Sequence, residues 1–102
     1  MKELEIKNEY NIKKVHYISP DVQNYCPLGE DYCTYKVVVD LVPAAHIFNY
    51  DVLSDFICNL RNGSRTREQF AFMIYDYLMI NLAPKSLQVT VYNTADDSYI
   101  II

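Results

Sequence analysis

The sequence predicts a small α+β domain whose main elements follow the order strand, strand, helix, helix, strand, strand. Apolar residues alternate with a period of two in both flanking parts of the chain, and they recur with a helical period over residues 49–83. A chain of 102 residues suffices for one domain, and no repeat, low-complexity tract or Pro/Gly-rich linker divides it. We therefore predict one domain over residues 1–102.

The first part of the chain predicts an arm, two strands and the loop between them. Residues 1–10 are polar, and we expect a loosely ordered arm. Alternation over 12–18 predicts the first strand, and residues 21–31, with a Pro and a Gly, predict an ordered loop. The second strand is expected over 32–41, where β-branched residues are frequent. One of its faces should carry Cys33, Tyr35, Val37, Val39 and Leu41.

The middle of the chain predicts two helices. The first begins at Asn49 and places four apolar residues on one buried stripe: Leu53, Phe56, Ile57 and Leu60. We expect Asn62-Gly63 to end it in a left-handed conformation. The second helix begins at Thr66 with a capping-box pattern and stops at Pro84. Two helices on one face of a four-stranded antiparallel sheet follow from this order.

The last part of the chain predicts two more strands joined by a turn. Residues 87–92 alternate, residues 95–97 resemble a turn, and the last strand runs over 98–102 with three terminal Ile. An apolar strand at a sheet edge favours aggregation, and pairing between subunits into a closed barrel removes that edge. We therefore expect a homo-oligomer. The ten Tyr and four Phe agree with aromatic surface that is covered by another subunit or a flat ligand.

Charge and cysteine usage restrict the classes of function. Thirteen acidic residues against nine basic ones give a net charge of −4, which is unfavourable for a stand-alone nucleic-acid binder. No apolar run approaches membrane-spanning length, and residues 1–10 do not resemble a secretory signal. An odd count of three Cys then indicates reduced thiols, and we expect the protein in the cytoplasm.

The loop over 21–31 and the start of the second helix hold the candidate chemistry. Cys26 lies beside Pro27, and Asp31 follows five residues later; a thiolate is a nucleophile, and a carboxyl group can donate a proton to what it attacks. By itself, the loop pattern favours a packed thiol over a reactive one. Glu68 opens the second helix, where the helix dipole alone would favour a carboxylate. In a functional interpretation, the Glu68 carboxylate accepts hydrogen bonds from two N–H groups of a flat heterocycle.

A metal site and a nucleotide loop are weaker alternatives. Cys26, Cys33, His16 and His46 offer zinc-type ligands, but none of the usual ligand spacings is present, so we predict no metal. His46 is expected in a solvated loop between the second strand and the first helix. Two Gly in the whole chain cannot supply a phosphate-binding or dinucleotide-binding loop.

The chain resembles the QueF-type nitrile reductases of 7-deazaguanine metabolism, which have the tunnelling fold. The resemblance spans about residues 15–102. It depends on a Pro-acidic-x-x-x-x-Cys-Pro pattern that is followed by a Gly and an Asp, on an Arg-Asn pair at the end of the first helix, and on a Glu that opens the second helix. The matching residues are Pro20, Asp21, Cys26, Pro27, Gly29, Asp31, Arg61, Asn62 and Glu68.

The resemblance implies roles for four residues. Cys26 would attack the nitrile carbon of 7-cyano-7-deazaguanine to form a thioimide, Asp31 would protonate the nitrile nitrogen, and Glu68 would hold the guanine-like edge. Arg67 stands where the family has His before that Glu, and we expect it to bind substrate as well. Sites of this fold lie between subunits, in agreement with the expected homo-oligomer.

One departure from the reductase pattern changes the expected reaction. Residues 49–54 replace a Glu-Ser-Lys-Ser-Leu-Lys motif that is associated with NADPH; both Lys are absent, and Asp51 takes the place of one. The scaffold then resembles the QueF-like amidinotransferases, in which ammonia opens the thioimide to an amidine, and no cofactor is expected. Alternatives are an NADPH-dependent reductase and a non-catalytic binding protein, and the base may be free or carried within tRNA or DNA.

Overall fold

A computed structural model describes residues 3–102 of the chain. It confirms the α+β class, with two helices packed on one face of an antiparallel sheet. The strands are β1 (Glu5–Lys7), β2 (Val15–Ile18), β3 (Val22–Cys26), β4 (Asp31–Val42), β5 (His46–Phe48), β6 (Ser86–Asn93) and β7 (Tyr99–Ile101). The helices are α1 (Tyr50–Asn59) and α2 (Arg67–Leu82), and a 3-10 turn, Leu60–Asn62, lies between them.

The long strand β4 organises the main sheet. One edge of β4 pairs first with β3 and then with β2, while its other edge pairs with β6, and β7 pairs with β6. The gap between β2 and β3 is bridged, because Ser19 donates its N–H to the Val37 carbonyl and the Val37 N–H donates to Ser19 Oγ, both at 2.8 Å. The main sheet therefore contains five strands where the sequence predicts four.

The alternation of β4 explains the position of the core. Its odd-numbered residues face the helices, and the side chains from Tyr35 to Leu41 on that face are almost fully buried. They pack against Val89 and Val91 of β6 and against the apolar stripes of both helices. Asn49 caps α1, and Thr66 caps α2 through the predicted box with Gln69. Burial of this apolar face is the main driving force for the fold.

Two segments predicted to be loop or arm form strands. Residues 5–7 pair with β5, which contains His46, because Leu4 is buried in the core and anchors the segment. Residues 1 and 2 of the predicted arm lie outside the described residues. Val22–Cys26, predicted as loop, is a strand because Val22 and Asn24 are buried against the helices. The predictions of a loose arm and of a loop position for His46 are therefore wrong for these residues.

The junction between the helices also differs from its prediction. Gly63 has a φ of −119°, so the chain leaves the first helix through the 3-10 turn and then extended backbone, not through a left-handed pair. A left-handed residue does end α2, where Ala83 has a φ of 43° just before Pro84. Among residues 3–102, no helix is long and apolar enough to cross a membrane.

Candidate functional site

An open pocket of about 450 Å³ lies between the tip of the β3–β4 hairpin, the first turn of α2 and β7. Such a volume suits a small heterocyclic ligand. Sheet residues form its floor, the start of α2 forms one wall, and the chain at β7 forms the other. Its lining residues are Cys26, Leu28, Cys33, Tyr35, Thr66, Arg67, Glu68, Ser98 and Ile100.

Cys26 and Asp31 lie opposite each other at the end of the hairpin. Cys26 is the last residue of β3 and pairs in register with Asp31, the first residue of β4. Directly opposed side chains of an antiparallel pair share a face with Cβ atoms roughly 5 Å apart. The thiol is half-buried and lines the pocket. Asp31 is exposed beside it, not among the lining residues, and its Oδ1 accepts the Tyr32 N–H at 2.7 Å.

Two hydrogen bonds attach the start of α2 to β3. The Arg65 N–H donates to the Tyr25 carbonyl at 3.1 Å, and Asn24 Nδ2 donates to the Arg65 carbonyl at 2.8 Å. Asn24 is fully buried, so water does not compete for this second bond. The segment between the helices thereby continues the sheet, with a parallel bridge between Tyr25 and Ser64. This attachment brings the first turn of α2 next to the residue that follows Tyr25, the candidate nucleophile.

Arg67 is held by contacts on two sides. Its guanidinium carbon lies 5.7 Å from the ring centroid of Tyr35, in a cation–π arrangement. Its Nη1 donates to Ser98 Oγ at 3.0 Å. Burial raises the pKa of Tyr35, and the nearby Arg67 cation and the Asn24 amide offset part of that rise. Arg67 thus gives the pocket a fixed positive charge over an aromatic floor.

Glu68 lies in the exposed first turn of α2 and borders two pockets. Besides the pocket that contains Cys26, it lines a larger one of about 660 Å³, whose walls are mainly Phe72, Met73 and Ile102. The larger pocket is lined by no thiol. We therefore place the candidate chemistry in the smaller pocket, where a nucleophile, an acceptor and a cation meet.

The structure brings three of the four sequence-predicted residues, Cys26, Arg67 and Glu68, into one pocket, and it places Asp31 next to the thiol. Sequence reasoning did not identify Tyr35 and Ser98 as site residues. The alternation of β4 carries a signal for Tyr35, which shares a face with Asp31 two pairs away. No local pattern marks Ser98, because its role depends on a contact with a residue 31 positions earlier.

Metal ligation has no geometric support in the described part of the chain. Over residues 3–102, no three His, Cys, Asp or Glu side chains are grouped to hold an ion. His16 lies on β2, where its Nδ1 is 2.7 Å from Asp40 Oδ1, a contact that belongs to the outer face of the sheet.

Comparison with solved structures identifies the fold as the tunnelling fold. The chain superposes on the archaeosine synthase QueF-like, solved in its apo form, with a TM-score of 0.76 and 16% identity over 89% of this chain and 92% of that chain. It also superposes on a putative dihydroneopterin aldolase (FolB) from Vibrio cholerae, with a TM-score of 0.70 and 14% identity over 87% and 93%. No family model and no curated protein matches the sequence.

Proposed function

We propose that this chain is an enzyme that acts on the nitrile of a 7-cyano-7-deazaguanine group through Cys26 and converts it to an amidine with ammonia. The observation that carries the proposal is the pocket in which the half-buried Cys26 thiol opens toward Glu68 and Arg67. The similarity in fold to an archaeosine synthase agrees with this assignment.

The proposed reaction needs a nucleophile and an acid and no electron donor. The Cys26 thiol passes its proton to Asp31, its sulfur bonds to the nitrile carbon, and Asp31 gives that proton to the nitrile nitrogen, which yields a thioimide. Ammonia then adds to the same carbon, the carbon–sulfur bond breaks, and one proton of the added ammonia passes to the departing sulfur. The product is an amidine, equal in composition to the nitrile plus ammonia. Because nothing is oxidised or reduced, no cofactor is needed.

The base would be held at the start of α2. Glu68 would accept the ring N–H and the exocyclic amino group of the guanine-like edge, since a carboxylate has two acceptor oxygens. Arg67 would lie beside that edge as a donor. The aromatic ring of Tyr35, 1% exposed, stiffens the floor below the guanidinium.

The amidine reaction is preferred over an NADPH-dependent reduction because of the charge at α1. Where the resembling reductases carry a Lys, Asp51 lies in the first turn of α1 and adds negative charge there. The phosphates of NADPH require cations instead. NADPH oxidation in the presence of the base is the outcome that would favour the reductase.

We further propose that the protein works as a cytoplasmic homo-oligomer with its sites between subunits. Helix α2 exposes large apolar side chains on the side away from the sheet, with Phe72 at 54% and Ile80 at 77% exposure. The edge strand β7 adds Ile101. Surfaces of this kind are typical of subunit interfaces. Multi-angle light scattering should give a mass several times 11.9 kDa, and a monomer at working concentration would refute the assembly.

Intact-mass measurement tests the chemistry directly. After incubation with free 7-cyano-7-deazaguanine, the protein should gain the mass of one base, and Cys26→Ala should gain none. Cys58→Ala is the matched control, because Cys58 is a half-buried thiol on α1 outside this pocket. The Cys58→Ala variant should form the Cys26 adduct to the same extent as the unmodified protein. An adduct that persists in Cys26→Ala, or no adduct at all, contradicts the proposed role of Cys26.

Substitution of the two carboxylates should affect different steps of the reaction. Asp31→Asn should slow adduct formation about 100-fold without weakening binding of the base, because it removes only the proton donor. Glu68→Gln should weaken binding about tenfold or more, because one acceptor becomes a donor that faces an N–H group. Ammonium should then release the adduct as an amidine in the wild-type protein. Equal effects of the two substitutions on binding would refute this division of roles.

A further inference from the structure

The turn between β6 and β7 is connected to Arg67 by a chain of hydrogen bonds. Arg67 Nη1 donates to Ser98 Oγ at 3.0 Å, and the same hydroxyl donates to Asp96 Oδ1 at 2.7 Å. Asp96 Oδ1 also accepts the Ser98 N–H at 2.9 Å. The hydroxyl therefore has one defined orientation, with its proton toward the carboxylate and a lone pair toward the guanidinium.

The charges along this chain reinforce each other. A cation at one end and a carboxylate at the other polarise the hydroxyl in the same sense, which strengthens both bonds. The pKa of Asp96 is lowered, chiefly by its hydrogen bonds to Ser98 and to a lesser degree by the Arg67 charge. The turn thus remains a charged anchor at neutral pH.

The second contact of Arg67 restricts the position of its guanidinium. The cation lies over the buried Tyr35 ring, so the side chain is held by a ring below and a hydroxyl at one side. A guanidinium has five N–H donors; one donates to Ser98 Oγ, and the Tyr35 hydroxyl is a second acceptor near the group. Donors on the same rigid group remain to face a ligand in the pocket that Arg67 lines together with Glu68.

We propose that Ser98 and Asp96 are positioning residues, which hold Arg67 as the donor that recognises a carbonyl oxygen of the base next to the edge bound by Glu68. A cation beside a carboxylate complements a ring that presents an acceptor next to two donors, as guanine does. Adenine presents the opposite pattern at the carbonyl position and is rejected. This inference rests on the proposed function for the identity of the base, but the hydrogen-bond chain is a property of the protein alone.

A protein-only measurement tests the hydrogen-bond chain. The sequence contains three Arg, so side-chain N–H signals of isotope-labelled arginine are few, and Arg67→Lys identifies the one that belongs to Arg67. Ser98→Ala should speed hydrogen exchange of that guanidinium about five- to tenfold. Ser98→Thr keeps the hydroxyl and should restore slow exchange. Thr94→Ala is the matched control, because the Thr94 hydroxyl lies in the same hairpin but donates to the Thr34 carbonyl. This variant should leave the exchange of the Arg67 guanidinium unchanged.

A ligand pair tests the recognition step. Guanine and 6-thioguanine share the donors that meet Glu68 and differ at the acceptor, where sulfur accepts poorly. In the Cys26→Ala protein, which cannot form an adduct, guanine should bind more tightly, and Ser98→Ala should reduce this preference about five- to tenfold. The compared quantity is the ratio of the two dissociation constants, with and without Ser98→Ala. The difference in acidity between the two bases is the same in both proteins and cancels from this comparison.

The outcomes separate the inference from the proposed function. A folded Ser98→Ala variant with wild-type exchange and wild-type preference overturns the inference, even if the Cys26 adduct forms. Equal losses for both bases also overturn it, because they indicate a general structural role. Selective loss of guanine binding without any adduct in the unmodified protein supports the inference and refutes the amidine chemistry. If neither base binds at millimolar concentration, both are refuted.

Discussion

Replacement of Asn24 by Asp should make the stability of the protein depend on pH in a defined direction. Asn24 is fully buried, and its Nδ2 donates to the Arg65 carbonyl at 2.8 Å. Its Oδ1 has no hydrogen-bond partner among the described residues. Asn24→Asp changes a few atoms, yet it replaces the donor that faces the Arg65 carbonyl by an oxygen in a fully buried site.

The magnitude follows from the cost of burying the charged form. Loss of the hydrogen bond costs about 1 kcal/mol at any pH. Full burial raises a carboxyl pKa by up to about 3–5 units, and each unit is worth about 1.36 kcal/mol. Even a rise of about two units adds roughly 3 kcal/mol at pH 7, so Asn24→Asp should cost about 4 kcal/mol there. Such a loss is a large part of the total stability of a small domain.

The sign of the pH dependence is opposite to that of an ordinary paired carboxylate. The new carboxyl has its folded pKa above its unfolded value of about 3.9, so the charge penalty is absent below that value. The penalty grows as pH rises toward the folded pKa and is constant above it. At pH 4, when protonated, the new carboxyl can even donate to the Arg65 carbonyl, and only about 1 kcal/mol or less should be lost.

Urea unfolding followed by far-UV circular dichroism at several values between pH 4 and pH 7 measures this difference. Asn81→Asp is the matched control, because Asn81 Nδ2 donates to the Tyr77 carbonyl at 2.7 Å but the residue is exposed. The control should lose about 1 kcal/mol or less at every pH. If Asn24→Asp loses the same amount at pH 4 as at pH 7, or no more than the control does, Asn24 is not the sealed link between β3 and α2 described above.

Three further changes have defined outcomes. Ala83→Gly should raise the free energy of unfolding by about 1 kcal/mol in urea, because Ala83 ends α2 with a φ of 43°, and unchanged stability would contradict the left-handed conformation. Arg65 Nη1 donates to the Leu60 carbonyl beside Gly63. Gly63→Ala should lower the free energy of unfolding by about 1 kcal/mol, because the new Cβ would displace the Arg65 guanidinium from this hydrogen bond; a neutral effect would contradict the contact. The pKa of the Asp96 carboxyl, followed by NMR, should lie below its ordinary value of 3.8. The contribution of this carboxyl to stability is therefore present above pH 3.8 and is lost as pH falls through the folded pKa. Ser98→Ala should move the titration midpoint upward, and an unmoved midpoint would exclude Ser98 as the cause.

The sequence predicts those features whose causes are local. The capping box of Thr66 and Gln69 requires residues three positions apart, and the structure contains both of its hydrogen bonds. The alternation of β4 has its cause within one strand. The Pro and the Gly in residues 21–31 predict a loop, and the polar Asn24 on the buried face of β3 leaves no apolar alternation to predict a strand there. What stabilises Asn24 there is a carbonyl 41 positions later, and single-sequence periodicity contains no information on such a partner.

The candidate site divides in the same way. Cys26, Asp31 and Glu68 are predicted from a resemblance that depends on residue types and their order along the chain. The attachment of Arg67 to Ser98 joins two elements that become neighbours only after the sheet forms. No sequence pattern marks Arg67 or Ser98 as a pair, because only the tertiary fold brings the two side chains into contact.

The framework of the site and its chemistry are physically separable. Three consecutive residues at the start of α2 are each held by different groups: Arg65 by β3, Thr66 by its capping box, and Arg67 by Ser98 near β7. Among residues 3–102, the Cys26 side chain takes part in none of these hydrogen bonds. A pocket preorganised in this manner keeps its geometry when the thiol is removed. Cys26→Ala should therefore bind guanine, which has no nitrile for the thiol to attack, as well as the unmodified protein does, and the mass measurement then reports on the nucleophile alone.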